Sequence, residues 1–329
     1  MPPERLLLLD AASLYFRAFH GVPDRRRSAG DPPTNAVRGF LDMVATLITA
    51  HRPSHLVACW DNDWRPAFRV AAIPSYKAHR VAPQPPMVLG ASVPDPGHPV
   101  HGPAEEVPAD LEVQVPVIVD VLAALGIARV GVDGYEADDV IGAYVTRWAG
   151  RMPVDVVTGD RDLFQLVDDD AAVRVLYTAR SGVRDAQIVD EAFLAAHHGV
   201  ADGPAYLDMS ILRGDASDGL PGVKGIGEKT AAALIAEFGS LAGVRRAVDE
   251  GDPRIRGARR ANLEAAADYL DRAPGVVAVA RQAPLPELDI ALPSAAADPE
   301  RLSELVARSA ITGPVERVRV ALGLEHQPR

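Results

Sequence analysis

Short apolar runs along the first half of the chain end in acids. Residues 6–9, LLLL, run into Asp10; residues 56–60, LVACW, run into Asp61; residues 154–159, VDVVTG, run into Asp160, with Asp162 two positions on. Between these strand-like runs lie helix-like patterns at 36–50, 114–125 and 137–148. Strands alternating with helices predict an α/β fold with a mostly parallel central sheet. In such sheets ligands bind beyond the carboxyl ends of the strands, so the strand-end acids are expected to share one rim. The segment GYEADDVIGAYV adds Glu136, Asp138 and Asp139 at the start of a helix. Acids are common in a first helical turn as partners of the helix dipole. Three of them beside strand-end acids exceed what that role needs.

The pattern then changes twice. Residues 81–108 hold eight prolines and no Phe, Tyr, Trp, Lys or Arg. That composition excludes a continuous helix or a central strand and predicts a loop or a partly disordered excursion. After about residue 195 strand signals fade. Residues 207–239 read as a compact helical module, 284–292 as weakly strand-like, 299–309 as helical, and the tail 325–329 as frayed. The expected division is 1–195 for the α/β part and 196–329 for the helical part and its extension. No internal repeat is present.

Composition narrows the class. The 329 residues are 48 % hydrophobic and 24 % charged, an ordinary globular balance with room for two domains. The single cysteine, Cys59, excludes an internal disulfide and reads as a small buried hydrophobe. The opening MPPERLLLLD is too short in apolar residues for a signal segment or a membrane span, so a cytoplasmic protein is expected.

Charge first points away from nucleic acid, because the formal net charge is −11. That inference fails if the acids are concentrated in one place. Nine candidates stand out: Asp10, Asp61, Glu136, Asp138, Asp139, Asp160, Asp162, Asp215 and Asp218. Nine carboxylates crowded together require neutralisation. No histidine or cysteine lies among them at ligand spacing, which disfavours zinc. Oxygen ligands alone favour Mg²⁺ or Mn²⁺. Without these nine the formal charge is −2, which leaves room for a basic face.

Residues 212–231, LRGDASDGLPGVKGIGEKTA, place two of those acids immediately before a glycine-rich loop that enters a helix. With LLLLDAASLYFRAFHG, ACWDNDWRPAFR, SYKAHR, GYEADDVIGAYV and VVTGDRDLFQLV, they make six segments in order. Together these resemble the 5′ nuclease family, which includes the 5′ nuclease domain of bacterial DNA polymerase I, phage 5′ exonucleases and flap endonucleases. The chain is most similar to a stand-alone bacterial member.

The resemblance implies a PIN-like α/β domain followed by a helix–three-turn–helix (helix–hairpin–helix) DNA-binding module. It implies two-metal hydrolysis of DNA phosphodiesters, as a 5′→3′ exonuclease and flap endonuclease in replication or repair. Asp10, Asp61, Glu136 and Asp138 would build one metal site, with Asp139 beside it. Asp160, Asp162, Asp215 and Asp218 would build the second. Lys77 and Arg80 match the family's basic pair at the scissile phosphate, and their i, i+3 spacing would put them on one helix face. Arg17, Phe19 and His20 match residues lining the same site, with a core role open for Phe19 and a structural hydrogen-bonding role for His20, and Tyr76 is a candidate for base stacking or, equally, for packing.

In the glycine-rich loop, Gly222, Gly225 and Gly227 would let peptide N–H groups approach phosphates, and Lys224 and Lys229 would add charge. A K⁺ ion held by backbone carbonyls, with Val223 and Ile226 as contributors, is implied as well. The implied partners are DNA with 5′ flaps, 5′ ends or nicks, with a repair polymerase, ligase or sliding clamp as collaborators. A monomer is the family's default.

Two features depart from the family. Gly219 stands where an asparagine is usual, which puts the ordering of Asp218 in question. The segment 81–108 lacks the basic residues of a helical arch, and Arg25, Arg26 and Arg27 offer either a substitute contact to duplex backbone or no more than a solvated loop. Competing readings are a catalytically silent DNA-binding protein and an RNA-directed PIN-type nuclease. A phosphatase reading of Asp61-Asn62-Asp63 is set aside because an earlier strand and acid precede it. On that view Asp63 is a surface residue.

Overall fold

The computed structural model describes residues 4–26, 31–81 and 107–324. The proline-rich stretch 82–106, Arg27 and the tail 325–329 lie outside the described residues, as do the expectations placed on them.

Six strands form one sheet: β1 (Leu6–Asp10), β2 (His55–Trp60), β3 (Ala128–Gly131), β4 (Val154–Thr158), β5 (Val173–Tyr177) and β6 (Gln187–Val189). Their order is β3-β2-β1-β4-β5-β6. The first five run parallel, and β6 pairs antiparallel with β5. Strand β1 shows why the apolar runs are continuous rather than alternating. Leu6 and Leu8 point into one core, Leu7 and Leu9 into the other, and all four are fully buried. Parallel strands covered on both faces need apolar side chains at every position. Each such leucine contributes about 1.5–3 kcal/mol.

One face is covered by the helix Ala137–Trp148 and by the helical second half. That core runs without a break from Val140 and Tyr144 into Leu212, Val223 and Leu234. The other face carries the helices Ala11–Gly21, Asn35–His51 and Val115–Leu125. It is completed by the last two helices, Pro299–Ser309 and Thr312–Ala321, through Leu302, Leu305, Val315 and Val318. The chain thus ends against the part where it began. The weakly strand-like stretch 284–292 narrows to a short pairing. The Leu56 N–H donates to the Ile290 carbonyl at 2.9 Å, and the Leu292 N–H donates to Ser54 at 2.9 Å.

In the second half, the helices Glu191–His198, Gly203–Arg213 and Leu241–Asp249 start at Asp190, Asp202 and Ser240. Each of these side chains accepts a first-turn N–H, so the helix ends are fixed locally. Cys59 is buried and free. Among the described residues no helix is long and apolar enough to cross a membrane. The strand order reverses between β1 and β4, which opens a crevice at their carboxyl ends.

Candidate active site

The acids converge on that crevice. Asp10 ends β1 and caps the following helix, accepting the Ser13 N–H at 3.1 Å and the Thr158 hydroxyl at 2.7 Å. Asp61 follows β2 and accepts the Ala137 N–H at 2.8 Å. Glu136 is the N-cap of the helix Ala137–Trp148, with Asp138 in its first turn. Asp160 and Asp162 follow β4. Asp215 and Asp218 frame a short 3₁₀ turn, Ala216–Asp218.

These carboxylates form one repulsive field. Burial, then Asp61 and Asp160, push the Asp10 carboxyl up to about 7 against the help of Thr158. Burial, then Asp160, Asp218 and Asp215, push Asp162 up to about 8. Asp138 is held well above the usual carboxylate range by burial, Asp10, Asp160 and Glu136. Asp61 and Asp218 are raised too, mainly by burial. Asp215 differs: burial raises it, but the Ser217 hydroxyl and N–H outweigh that, so its pKa lies below normal. The field thus links Asp10, Asp61, Glu136, Asp138 and Asp160 to the turn at 215–218.

Among the described residues, no three His, Cys, Asp or Glu side chains enclose a single point as they stand. Several are turned to other partners, Glu136 most of all. The donor set nevertheless suits a hard divalent cation. It offers oxygens alone, and their mutual repulsion and desolvation are relieved by positive charge.

Asp139 is a correction. It is fully buried, and its oxygens accept four hydrogen bonds. Arg69 donates two, at 2.6 and 2.7 Å; the Ala280 N–H donates at 2.7 Å and the Glu136 N–H at 3.1 Å. No lone pair is left for a metal, so Asp139 is the counter-ion of Arg69. Arg69 closes the segment ACWDNDWRPAFR but does not stand among its candidate site residues. Its guanidinium is 2 % exposed, and it also donates to Glu136 at 3.1 Å and to the carbonyls of Val276 and Ala278 at 2.8 and 3.3 Å. A lone arginine in AFRVAA gives no hint of this, and only the apolar flanks of the segment could have suggested burial.

The basic pair is also arranged differently from the expectation. Lys77 has a left-handed backbone, φ 47°, and Ala78–Arg80 is a single 3₁₀ turn, so there is no common helix face. The two cations go to different acids. The Lys77 ammonium donates to Glu136 at 2.8 Å, and Arg80 donates to Asp218 at 2.7 Å. Glu136 raises the Lys77 pKa well above its usual value although burial opposes it. Tyr76 is 4 % exposed, and its hydroxyl donates to both Glu136 oxygens, at 2.9 and 3.1 Å. A buried ring cannot stack on a base, so Tyr76 positions Glu136 instead.

Asp218, whose ordering Gly219 puts in question, is held in place through its own and its neighbour's carbonyl. The Ser75 hydroxyl donates to the Gly219 carbonyl at 2.8 Å, and the Lys77 N–H donates to the Asp218 carbonyl at 2.9 Å. Gly219 has φ 71°, and a Cβ there would overlap the Ser75 carbonyl oxygen. Glycine thus permits a close clasp between the basic loop and the turn that carries Asp215 and Asp218. Asp63 is another correction. It is buried and accepts the Gly134 N–H at 2.5 Å, which ties the loop after β2 to the loop after β3.

Around the rim, Arg17 is half-buried and donates to the Ala179 carbonyl at 3.3 Å. Phe19 is half-buried and packs edge-on against the exposed His20 ring. Arg26 is held by Asp24 and Asp110 at 2.6 and 2.9 Å.

In the glycine-rich loop, Lys224, Gly225, Gly227 and Lys229 are exposed, and Gly227 caps the helix Glu228–Phe238 without a side-chain acceptor. Gly222 is corrected. It is buried against the backbone of Arg213 and Gly214, where a Cβ would overlap, so it packs the loop rather than meeting phosphate. Val223 and Ile226 bury their side chains beneath the loop. The Val223 carbonyl accepts the Ile226 N–H at 3.0 Å.

Comparisons with known proteins bear on the family and the fold. The family described as 5′-3′ exonuclease, N-terminal resolvase-like domain, matches residues 5–198. The 5′-3′ exonuclease, C-terminal SAM fold, matches residues 202–299. A 5′-3′ exonuclease of Streptomyces coelicolor is 55 % identical over 96 % of this chain and 99 % of its own length. One from Mycobacterium tuberculosis is 47 % identical over 96 % of this chain and 97 % of its own. DNA polymerase I of Mycobacterium tuberculosis is 39 % identical over 78 % of this chain, which spans 26 % of that protein. Among solved structures, the T5 D15 protein co-crystallised with metal ions superposes with a TM-score of 0.60. It covers 97 % of this chain and 99 % of its own at 18 % identity, a likeness of fold. Human GEN1 in complex with Holliday junction DNA superposes at 0.58 and 15 % identity, covering 96 % of this chain and 71 % of that one.

Proposed function

The chain belongs to the 5′-3′ exonuclease family, and from that premise we propose how its residues perform structure-specific 5′ nuclease chemistry on DNA. The enzyme is a nuclease that hydrolyses phosphodiesters. The observation that carries the reading is the acid field itself. Strand ends, a helix start and the 215–218 turn deliver eight carboxylates to one crevice, where burial and mutual repulsion raise most of their pKa values.

Asp10, Asp61 and Asp138 would hold one divalent ion, Mg²⁺ or Mn²⁺, with Glu136 joining them by exchanging its Lys77 contact while Tyr76 and Arg69 stay in place, and Asp160, Asp162, Asp215 and Asp218 would hold a second. Such ions, when bound, activate water and neutralise charge on the leaving oxygen. Lys77 and Arg80, each anchored on an acid of a different group, supply fixed positive charge to the phosphate between them. That charge orients the phosphodiester and offsets the negative charge that grows on its oxygens. Tyr76 and Arg69 fix the Glu136 carboxylate, so the first group of acids keeps its geometry.

The loop at 222–227, with K⁺ on its carbonyls, would hold duplex backbone without reading sequence. Substrates would be DNA flaps, 5′ ends and nicks, met in replication or repair by a monomeric protein. A repair polymerase would be a collaborator, a reading supported by the polymerase relative, and a ligase or sliding clamp would act beside it.

The experiment uses a 5′-labelled flap duplex, a blunt duplex and single-stranded RNA, each with Mg²⁺, Mn²⁺ or EDTA. Metal-dependent short products from the DNA substrates are expected, and none from RNA. DNA binding without cutting in either metal would favour a silent binding protein. Cutting of RNA in preference to both duplexes would favour an RNA-directed nuclease.

A further inference from the structure

The stretch GDPRIRGARRAN, residues 251–262, carries four arginines, and the structure separates them into two kinds. Arg260 donates to the carbonyls of Ile255, Val248 and Asp252 at 2.9, 2.8 and 2.6 Å. Arg254 is paired with Asp252 at 2.6 Å and lies over the Phe238 ring. Those two brace the segment. Arg256 and Arg259 are exposed, and among the described residues neither makes an ion pair or a hydrogen bond.

Their position is set by Asn262. Its side-chain amide donates to the Lys224 carbonyl at 2.8 Å, and it lies against Gly225. Arg259 is three residues before Asn262 in the helix Ala258–Ala265, so the two share a helix face. That face abuts the Lys224–Gly227 loop. Arg256 stands just ahead of the Gly257 cap, and the helix has neither a side-chain cap nor an acid in its first turn. Nothing anionic in the helix's own first turn claims the positive charge collected there.

We propose that Arg256 and Arg259 form a second phosphate-contacting ledge, which grips the same duplex beside the glycine-rich loop. The partner chemistry is the sugar–phosphate backbone of a double strand. Two free guanidiniums on a rigid frame fit a row of phosphates, and nothing there presents a hydrogen-bonding pattern for base edges. The ledge rests on the reading of the 222–227 loop as duplex-binding. It extends the contact beyond the loop itself and so adds grip without adding catalytic groups.

The test is anisotropy of a fluorescent flap duplex in EDTA, titrated in KCl, for the wild type, Arg256→Ala/Arg259→Ala, Arg256→Lys/Arg259→Lys and Lys224→Ala. Each phosphate contact contributes about 0.9 to the slope of log affinity against log salt. The double alanine variant is expected to lose about 1.8 of that slope, and affinity at low salt falls on the order of tenfold or more. The double lysine variant keeps most of the slope. Circular dichroism is expected to show unchanged melting, because both side chains are exposed and unpartnered. An unchanged slope in the double alanine variant overturns the ledge while Lys224→Ala still flattens it. A slope flattened equally by the lysine variant also overturns it, because charge is then not the cause. If Lys224→Ala and the double variant both match the wild type, the loop reading itself fails and the ledge falls with it.

Discussion

Asp138 and Asp139 are consecutive residues on one helix turn, and their surroundings are opposite. Asp139 is sealed from solvent with four donors, two of them from Arg69. Asp138 lies among Asp10, Asp160 and Glu136, and its carboxyl is pushed well above the normal range, with Lys77 a minor opposing influence. The fold satisfies one carboxylate and leaves the next unsatisfied. Compensated acids hold structure together, whereas uncompensated ones store an unfavourable energy that a cation relieves. The same division separates the two ends of the sheet. Asp155, at the start-of-strand edge, is fully buried but paired with Arg5 and Arg174, each at 2.7 Å. The acids at the carboxyl ends largely lack such partners, Glu136 and Asp218 excepted.

The largest expected effect breaks the contrast from the unsatisfied side. Asp138→Ala is expected to reduce flap cleavage to background while the protein stays folded. Without metal its melting temperature is expected to rise, because one repelling charge is gone. Retained cleavage would remove Asp138 from the site. Next comes the satisfied side. Arg69→Met strands Asp139 in the interior and takes one of several donors from Glu136, which keeps Lys77 and Tyr76; breaking a buried pair in this way costs about 3–5 kcal/mol. Urea denaturation checks this, and a loss below about 1 kcal/mol would mean that the pair is not holding the helix in place.

Gly219→Asn tests the clasp. The strained left-handed backbone and the overlap with Ser75 are expected to cost about 1–3 kcal/mol. The turnover number is expected to fall more than substrate affinity, because Lys77 and Arg80 move relative to Asp218. Equal stability and turnover would show that the loops are independent.

A smaller effect concerns pH. Carboxyls such as Asp10 and Asp162, whose folded pKa values of about 7 and 8 exceed the unfolded value near 3.8, bind more protons when folded. Their penalty is absent below pH 3.8 and grows as pH rises through about 8. Metal-free protein is therefore expected to melt at lower temperature at pH 8 than at pH 5, and the stabilisation by Mn²⁺ is expected to be greater at pH 8. Thermal scans at both pH values check the sign.

Much of the fold was legible because buried parallel strands and long amphipathic helices write continuous patterns. LLLLD, LVACW and the helix at 137–148 are cases in point. The edge strand β6 has three residues, two of them exposed, and left no such pattern. The return of the last helices onto the first core was invisible because it depends on contacts between distant parts of the chain.

At the site, residue types indicated which acids gather, but not which of them are already answered. Asp138 and Asp139 look alike until Arg69 is seen beside one of them. Asp63 and Gly222 read as surface or substrate-facing groups and Tyr76 as a stacking or a packing ring, yet each is taken up by a specific backbone or carboxylate partner. Lys77 and Arg80 were identified by motif, while their different acid partners follow from a backbone turn that spacing does not encode.

The most direct test of the central contrast is a calorimetric titration of the wild type and Asp138→Ala with Mn²⁺. Uncompensated acids predict that the wild type takes up more than one ion per chain, and that Asp138→Ala loses an ion or binds it far more weakly. Equal stoichiometry and equal affinity in the two proteins would contradict the account.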